Sequence, residues 1–296
     1  MRRTPDFVIL PLRNRLAARL AITLLFVFAS GCGHRDAAPA PLRVAAASDL
    51  QMVLPRLIEQ FTRETSRSVT PSFGASGHLA EQIKGGAPFD VFLAANQTFV
   101  RDLADAGLIK PGSVRPYARG SLVLAVFDQV SGEIARLEDL ARPAVKKIAL
   151  ANPDTAPYGK AGKQALERAG LWKQLEPKIV MAESVRQALN YVQEGNAEAA
   201  LVGRAIVKVK GVVSVDVDAR LYDPIIQALG ILTSSTHPQE AESFAQFVLG
   251  EEGQRIMRGF GFAPPEESAP GPDASRDTRH RATPASGQAE KPPPSP

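Results

Sequence analysis

The sequence predicts a two-lobed α/β protein, in which each lobe is a mixed, mostly parallel sheet flanked by helices and a ligand cleft lies between the lobes. The first observation is that short β-prone runs alternate with helical patterns between residues 42 and 265, as in folds built from βα units. The second is that the apolar runs 121–127 and 224–233 can carry the chain from one sheet to the other and back. Two lobes joined by two crossings enclose a cleft, where small ligands commonly bind.

The first lobe is predicted to comprise residues 42–119 and 226–265. Its strands are β-branched or apolar runs, and its helices carry apolar residues on one face. The predicted strands are 42–47, 68–73 and 90–95. The predicted helices are 52–64, 79–84, 97–106, 238–249 and 251–258. Pro55 fits the first of these helices, because the first turn of a helix has no intrahelical N–H partners to lose.

The second lobe is predicted to comprise residues 120–225. Its first strand is the crossover run 121–127, and further strands and helices alternate after it. These elements are the strands 147–151 and 199–203 and the helices 160–169 and 185–193. The run 224–233 is then the strand that returns to the first lobe.

The two ends of the chain are predicted to lie outside this fold. Residues 1–31 have the features of a signal peptide, because arginines precede a short apolar run, and residues 32–41 those of a polar linker. The string ASGC looks like the lipobox of bacterial lipoproteins, whose cysteine, here Cys32, carries the lipid. A plain cleaved signal with an incidental cysteine is the alternative. Residues 266–296 are rich in proline and poor in bulky apolar side chains, which predicts a disordered tail.

The charge of the chain argues against a nucleic-acid partner. The formal net charge is +4, but five of the 35 basic residues and one of the 31 acidic residues lie in the predicted leader. The mature chain is therefore formally neutral. Only 6% of the residues are aromatic, whereas single-stranded nucleic acids are commonly bound on basic, aromatic surfaces. Cys32 is the one cysteine in the sequence, so no intramolecular disulfide can form.

Three predicted strand-to-helix junctions carry hydroxyl or small residues where backbone donors are free. Ser48 and Asp49 occupy the first, Ser76 and Gly77 the second, and Tyr158 the third. Each junction would direct unpaired N–H groups and the positive end of a helix dipole towards one place, which suits an anion. Taken singly, such serines and aspartates are more often plain helix caps.

Asp49 has two interpretations. Its carboxylate can point outward and cap the following helix, which we favour from the sequence, as is common for aspartate at a helix start. Alternatively, it can face a ligand and accept the proton of an oxyanion such as hydrogen phosphate.

From Leu42 to Pro265 the chain resembles the family of periplasmic molybdate-binding proteins of bacterial molybdate/tungstate ABC transporters. The motifs VAAASDL, SFGASGHLAEQIKGGAPFDVFLAA, ANPDTAPYGKAG, AESVRQALNYVQEGNAEAALV and GFGFAP occur in the order found in that family. The segment 72–95 is the most specific of them. The resemblance implies the type II periplasmic binding protein fold, a location in the periplasm or at the cell surface, and an ABC permease as partner.

The resemblance also implies a site made of neutral donors. Ser48 and Ser76 correspond to hydroxyl ligands of the oxyanion, Tyr158 to a ligand from the second lobe, and Val185 to a backbone N–H ligand. Where some members of the family have a tyrosine after a strand, this chain has Gly203, and we expect Tyr158 to replace it. Molybdenum is then bound as its oxyanion with no direct metal ligand, without a cofactor, by a monomer.

The function expected from the sequence is therefore the non-enzymatic capture of molybdate or tungstate for an ABC importer. A donor-only cavity suits molybdate, a dianion with no proton to donate at neutral pH. Two alternatives stay open: a binding protein for sulfate or phosphate, and a lipoprotein enzyme that acts on a phosphate or sulfate ester. The second is disfavoured because Ser76 lacks a flanking G-x-S-x-G and no His/Asp partner set is recognisable.

Overall fold

The structure, a computed structural model, describes residues 40–265, and they form two five-stranded sheets flanked by helices. The predicted fold class is thus confirmed. The predicted signal peptide, Cys32 and the tail 266–296 lie outside the described residues. Among the helices of residues 40–265, none combines the length and the apolar character that a membrane span requires.

The first sheet has the strand order β2-β1-β3-β10-β4. Strands β2, β1 and β3 run parallel, and β10 is antiparallel to both of its neighbours. Its strands are β1 (Leu42–Ala47), β2 (Val69–Gly74), β3 (Val91–Ala94), β4 (Arg115–Gly120) and β10 (Ile225–Ile231). The helices of this lobe are α1 (Leu54–Thr65), α2 (Ser76–Lys84), α3 (Gln97–Asp105), α7 (Pro238–Leu249) and α8 (Glu251–Gly259).

The second sheet has the strand order β7-β6-β8-β5-β9. Strands β7, β6 and β8 are parallel, and β5 is antiparallel to β8 and β9. Its strands are β5 (Leu122–Phe127), β6 (Ile148–Ala151), β7 (Ile179–Ala182), β8 (Ala199–Gly203) and β9 (Val212–Asp216). Its α-helices are α4 (Pro157–Arg168), α5 (Trp172–Leu175) and α6 (Val185–Gln193).

The chain passes between the two sheets twice, and the two passages are neighbours in space. Strand β4 of the first sheet ends at Gly120, and strand β5 of the second sheet begins two residues later, at Leu122. The return runs from the end of β9 to Ile225, the first residue of β10. Because Ile225 pairs with Gly120 in the sheet, both connections lie side by side on hydrogen-bonded strands.

Each lobe has its own apolar core. In the first lobe, α1 packs on the sheet, and Phe61 of this helix meets Phe244 of α7 edge-on at 5.1 Å between ring centroids. In the second lobe, the buried residues of β5 belong to the same apolar core as the buried face of α6. Burial of such apolar side chains supplies the main driving force for each lobe to fold.

Two differences from the predicted elements bear on the site and on the sheets. The helices α2 and α4 begin three residues before their predicted starts, because Ser76 and Pro157 occupy first turns, where proline is well tolerated. Strands β4, β7 and β9 were not predicted. Each is an edge strand of its sheet, and its half-exposed or Arg- and Pro-containing sequence lacks a clear apolar pattern.

Candidate functional site

The carboxyl ends of the parallel strands bring the predicted site residues to the space between the lobes. Ser48 follows β1 and Ser76 follows β2, and these strands are neighbours in the first sheet. Val185 follows β7, and Tyr158 follows its neighbour β6 after a turn. Ligands of open α/β sheets bind at this end of the strands.

All four of these residues line one cavity between the two sheets. The cavity is small, with about 10 Å³ of free space, which is close to the least volume that holds one water molecule. The lining is made of small, hydroxyl and apolar residues together with one carboxylate, and it contains neither lysine nor arginine: Ala47, Ser48, Asp49, Gly74, Ala75, Ser76, Ala95, Ala156, Pro157, Tyr158 and Val185. Lys160, one turn further along α4, lines a wider neighbouring groove instead.

Ser76 is oriented to donate its hydroxyl proton. Its side chain is 1% exposed, and its Oγ accepts a hydrogen bond of 3.0 Å from the backbone N–H of Ala95. A hydroxyl has one proton to donate and two acceptor sites. Since the Ala95 N–H occupies an acceptor site, the O–H of Ser76 is free to donate to a group in the cavity.

Three helix N-termini supply backbone donors at the cavity. The first-turn N–H groups of a helix have no carbonyl partner within the helix, and the positive end of the helix dipole lies with them. Helices α2 and α4 begin at Ser76 and Pro157, and α6 begins at Val185. The Ser184 hydroxyl accepts from the N–H of Gln187, so the cap of α6 uses a later N–H and leaves that of Val185 for a ligand.

The two lobes touch beside the cavity. The N–H of Gly77, in the first turn of α2, donates to the carbonyl oxygen of Thr155 in the second lobe at 2.9 Å. A β-carbon at Gly77 would lie 2.9 Å from the Cα of Thr155, closer than real Cβ contacts come. Glycine therefore lets the lobes approach until this interlobe hydrogen bond forms.

Asp49 does not point outward, so the interpretation that the sequence favoured is wrong. The residue is 1% exposed and lines the cavity. Its Oδ2 accepts from Nε2 of Gln227 at 2.5 Å, whereas its Oδ1 is buried without a hydrogen-bond partner among residues 40–265. Burial raises the pKa of Asp49 from 3.8 to about 6, although the hydrogen bond from Gln227 and the nearby hydroxyl of Tyr158 oppose the shift.

Asp49 belongs to a buried polar network that joins the lobes. Tyr117 donates to Oε1 of Gln227 at 2.6 Å, and Nε2 of Gln227 donates to the hydroxyl oxygen of Tyr158 at 3.1 Å. The hydroxyl of Tyr158 also interacts with the carboxyl of Asp49. Burial, and after it the charge of Asp49, raises the pKa of both tyrosines well above the usual range, so both keep their protons.

The side chain of Tyr158 fills space that two glycines leave open. A β-carbon at Gly203 would lie 2.9 Å from Cζ of Tyr158, and one at Gly120 would lie 2.0 Å from its hydroxyl oxygen. A larger residue at 203 and the ring of Tyr158 therefore cannot occupy this space together. The hydroxyl of Tyr158 thus lies against β4, one of the two strands that connect the lobes.

Gln227 and Tyr117 were missed as part of the site. For Gln227 the sequence contains a signal, since it is an amide within the apolar run PIIQALGILT and such a residue needs a buried partner. Gln227 is fully buried. For Tyr117 the sequence contains no such signal, because its strand, RPYARG, has no recognisable strand pattern.

The raised pKa of Asp49 predicts a pH dependence of stability. An unfolded carboxyl with the ordinary pKa of 3.8 ionises before the folded one does, so the free energy of unfolding falls as pH rises from about 4 to 6. The full difference corresponds to about 3 kcal/mol. Asp49→Asn, which keeps an acceptor for Gln227, should remove this loss, so that its stability relative to the unsubstituted protein increases by about 2 to 3 kcal/mol between pH 4 and 7. Urea unfolding of both proteins across this range measures the difference, and parallel stability curves would contradict the prediction.

Comparison with known proteins agrees with this architecture. Residues 42–263 match the family model of bacterial extracellular solute-binding proteins. The chain is 34% identical over 229 residues to the molybdate-binding protein ModA of Azotobacter vinelandii, an alignment that covers 75% of this chain and 90% of that relative. It is 28% identical over 251 residues to YvgL of Bacillus subtilis, named as a candidate ABC transporter substrate-binding lipoprotein, with 82% of this chain and 96% of the relative covered.

A solved structure is similar as well. The periplasmic molybdate-binding protein of Azotobacter vinelandii aligns with a TM-score of 0.72 at 33% identity, over 76% of this chain and all of that one. The family match covers three quarters of the sequence and both lobes. The chain belongs to the family of bacterial extracellular solute-binding proteins.

Proposed function

We propose that this protein captures molybdate, and tungstate in second place, outside the cytoplasm and delivers it to an ABC permease. The observation that carries the proposal is the small interlobe cavity, which is lined by Ser48 and Ser76 and by the starts of three helices, with no cation in its lining. Hydroxyl and N–H donors recognise an oxyanion that has no proton of its own. The similar protein and the similar solved structure from Azotobacter vinelandii are both molybdate-binding by name.

The protein acts as a binding protein without turnover and without a cofactor. The dianion is held by the hydroxyls of Ser48 and Ser76, by the N–H of Val185, and by the second lobe through Tyr158. The lobes then close over it through contacts such as the hydrogen bond between Gly77 and Thr155. Preorganised dipoles replace the hydration shell of the ion, so a lysine or arginine counter-charge is not required.

A second candidate ligand is a protonated oxyanion such as hydrogen phosphate. The observation that favours it is the buried carboxyl of Asp49, which can accept a proton from such a ligand. Sulfate, like molybdate, offers only acceptors and competes with it for the same donors. An esterase acting on phosphate or sulfate esters would release products, whereas a binding protein gives stoichiometric uptake alone.

A thermal-shift screen with molybdate, tungstate, sulfate, phosphate and chromate tests the proposal. A ligand that binds the native state at a hundred times its Kd stabilises that state by about 2.7 kcal/mol. We expect the largest increase in melting temperature with molybdate or tungstate and no product from generic ester substrates. A larger shift with phosphate would favour the second candidate, and shifts with none of the ions would contradict the proposed function.

We further propose that Cys32 anchors the protein to a membrane through a lipid. The sequence ASGC supports this, as does the description of the Bacillus subtilis relative as a lipoprotein. Cys32→Ser should move the protein from the membrane fraction to the soluble fraction, because an acyl anchor supplies its hydrophobic binding energy. Detergent-phase partitioning of both proteins measures this, and equal partitioning would contradict the anchor. The partner implied is the permease, and we propose a monomer.

A further inference from the structure

We infer that Asp49 is part of the oxyanion site and carries a proton whenever a dianion is bound, so that capture of one dianion takes up one proton from solution. The inference rests on the proposed function, since it takes the ligand to be a dianion. Asp49 lines the same cavity as Ser48 and Ser76 and is almost completely buried. Its Oδ1 has no hydrogen-bond partner in the described part of the chain.

An ionised carboxylate at this position is incompatible with a bound dianion. It offers only acceptors, as the dianion does, so the two cannot hydrogen-bond to each other. Their charges also repel strongly, because the interior of a protein screens them much less than water does. The cavity lining contains no lysine or arginine that could offset the carboxylate.

A proton on Asp49 removes both conflicts. It neutralises the carboxyl and converts the unpartnered Oδ1 into a donor, while Oδ2 continues to accept from Gln227. Burial has already raised the pKa of Asp49 to about 6, and a neighbouring dianion raises it further. Near pH 7.5 the free site is therefore mostly ionised and the occupied site protonated. The proton comes from the solvent buffer, and no bond of the oxyanion breaks.

Among the groups that pack around the cavity, Asp49 is the one that can take up this proton. Tyr117 on β4 and Tyr158 on α4 face it and keep their protons, and Gln227 on β10 does not titrate. Strand β2, α6 and the turn Arg204–Ile206 also pack against the turn that carries Asp49. Strand β2 has no titratable side chain. The turn carries Arg204 and α6 carries Arg186, and arginines stay charged in proteins. Tyr191 lies near the end of α6, away from the helix start at the cavity. His78, which is exposed on α2 two residues after Ser76, is the histidine closest in sequence to the site, so its substitution serves as a control.

Calorimetric titration with sodium molybdate tests the inference. The protein is titrated at pH 7.5 in two buffers that differ in ionisation enthalpy, and the difference in heat gives the number of protons taken up. We expect about one proton per ion at pH 7.5 and clearly fewer at pH 5. The affinity should fall about tenfold for each unit of pH between 6.5 and 8, because only the protonated site binds the dianion.

Two variants assign the proton to its group. Asp49→Asn retains an acceptor for Gln227 and cannot ionise, so it should bind molybdate without proton uptake and with an affinity independent of pH. His78→Gln should behave as the unsubstituted protein does. Proton uptake that persists in Asp49→Asn, or that disappears in His78→Gln, would overturn the assignment.

The measurement on the unsubstituted protein decides the question even if Asp49→Asn does not fold. Molybdate binding without proton uptake at pH 7.5 would overturn the inference and leave the proposed function intact. Failure of the unsubstituted protein to bind molybdate at any pH would overturn the proposed function, and the inference with it. The two failures are therefore distinguishable.

Discussion

Ser76→Ala is expected to weaken molybdate binding by ten- to a hundredfold while the fold persists. The hydroxyl oxygen of Ser76 accepts from the N–H of Ala95, which leaves its proton for the ligand. Hydrogen bonds to charged groups contribute about 1.5 to 3 kcal/mol, which corresponds to this range of affinities. Isothermal titration calorimetry with molybdate measures the loss, and urea unfolding measures any change in stability.

Ser113→Ala is the matched control for this substitution. Ser113 is also a buried serine whose Oγ accepts from a strand N–H, that of Ile231, at 3.1 Å. Ile231 pairs with Val91, at the opposite end of β3 from Ala95. We expect Ser113→Ala to lower stability and to leave the affinity unchanged. Equal affinities of the Ser76→Ala variant and the unsubstituted protein would remove Ser76 from the site.

Gly159→Ala is expected to have the largest effect, on stability and on binding together. A β-carbon at Gly159 would lie 2.0 Å from the carbonyl oxygen of Ala151, the last residue of β6. Because the obstacle is backbone, the start of α4 must move, and Tyr158 moves with it. Overpacking costs about 1 to 3 kcal/mol, and the backbone obstacle places Gly159→Ala at the upper end of that range. We expect at least about a hundredfold loss of affinity.

The control is Gly259→Ala, at the end of α8. A β-carbon there would meet no atom within 4 Å, and alanine is the better helix former of the two residues. This variant should be as stable as the unsubstituted protein or slightly more so. For Gly159→Ala we expect the melting temperature to fall by roughly 5 to 15 °C, and an unchanged melting temperature would show that α4 accommodates the methyl group.

Elements with a single strong pattern were predictable from the sequence. Helix α6 and strand β8 have the predicted bounds, because a clear helical period and a continuous apolar run mark them. The edge strands β4, β7 and β9 were not predictable, since their pairing depends on neighbours far away in the sequence. Pairing of β4 with β10, for example, joins residues more than a hundred positions apart.

The site was predictable only in part, for a related reason. The junction motifs and the resemblance placed Ser48, Ser76, Tyr158 and Val185 at one cavity, where the structure also has them. The orientation of Asp49 was not predictable. Whether an aspartate after a strand caps a helix or turns inward depends on its buried partner, and that partner, Gln227, lies 178 residues away.

The position of β10 between β3 and β4 has a consequence for the order in which the chain folds. Every strand of the second sheet lies in one continuous segment of the chain, Leu122 to Asp216. In the first sheet, by contrast, β4 pairs only with β10, and β10 follows that segment in the sequence. Contacts that close such long loops form slowly. We therefore expect the second lobe to fold first during refolding, with the insertion of β10 as the late, rate-limiting step that completes the first lobe.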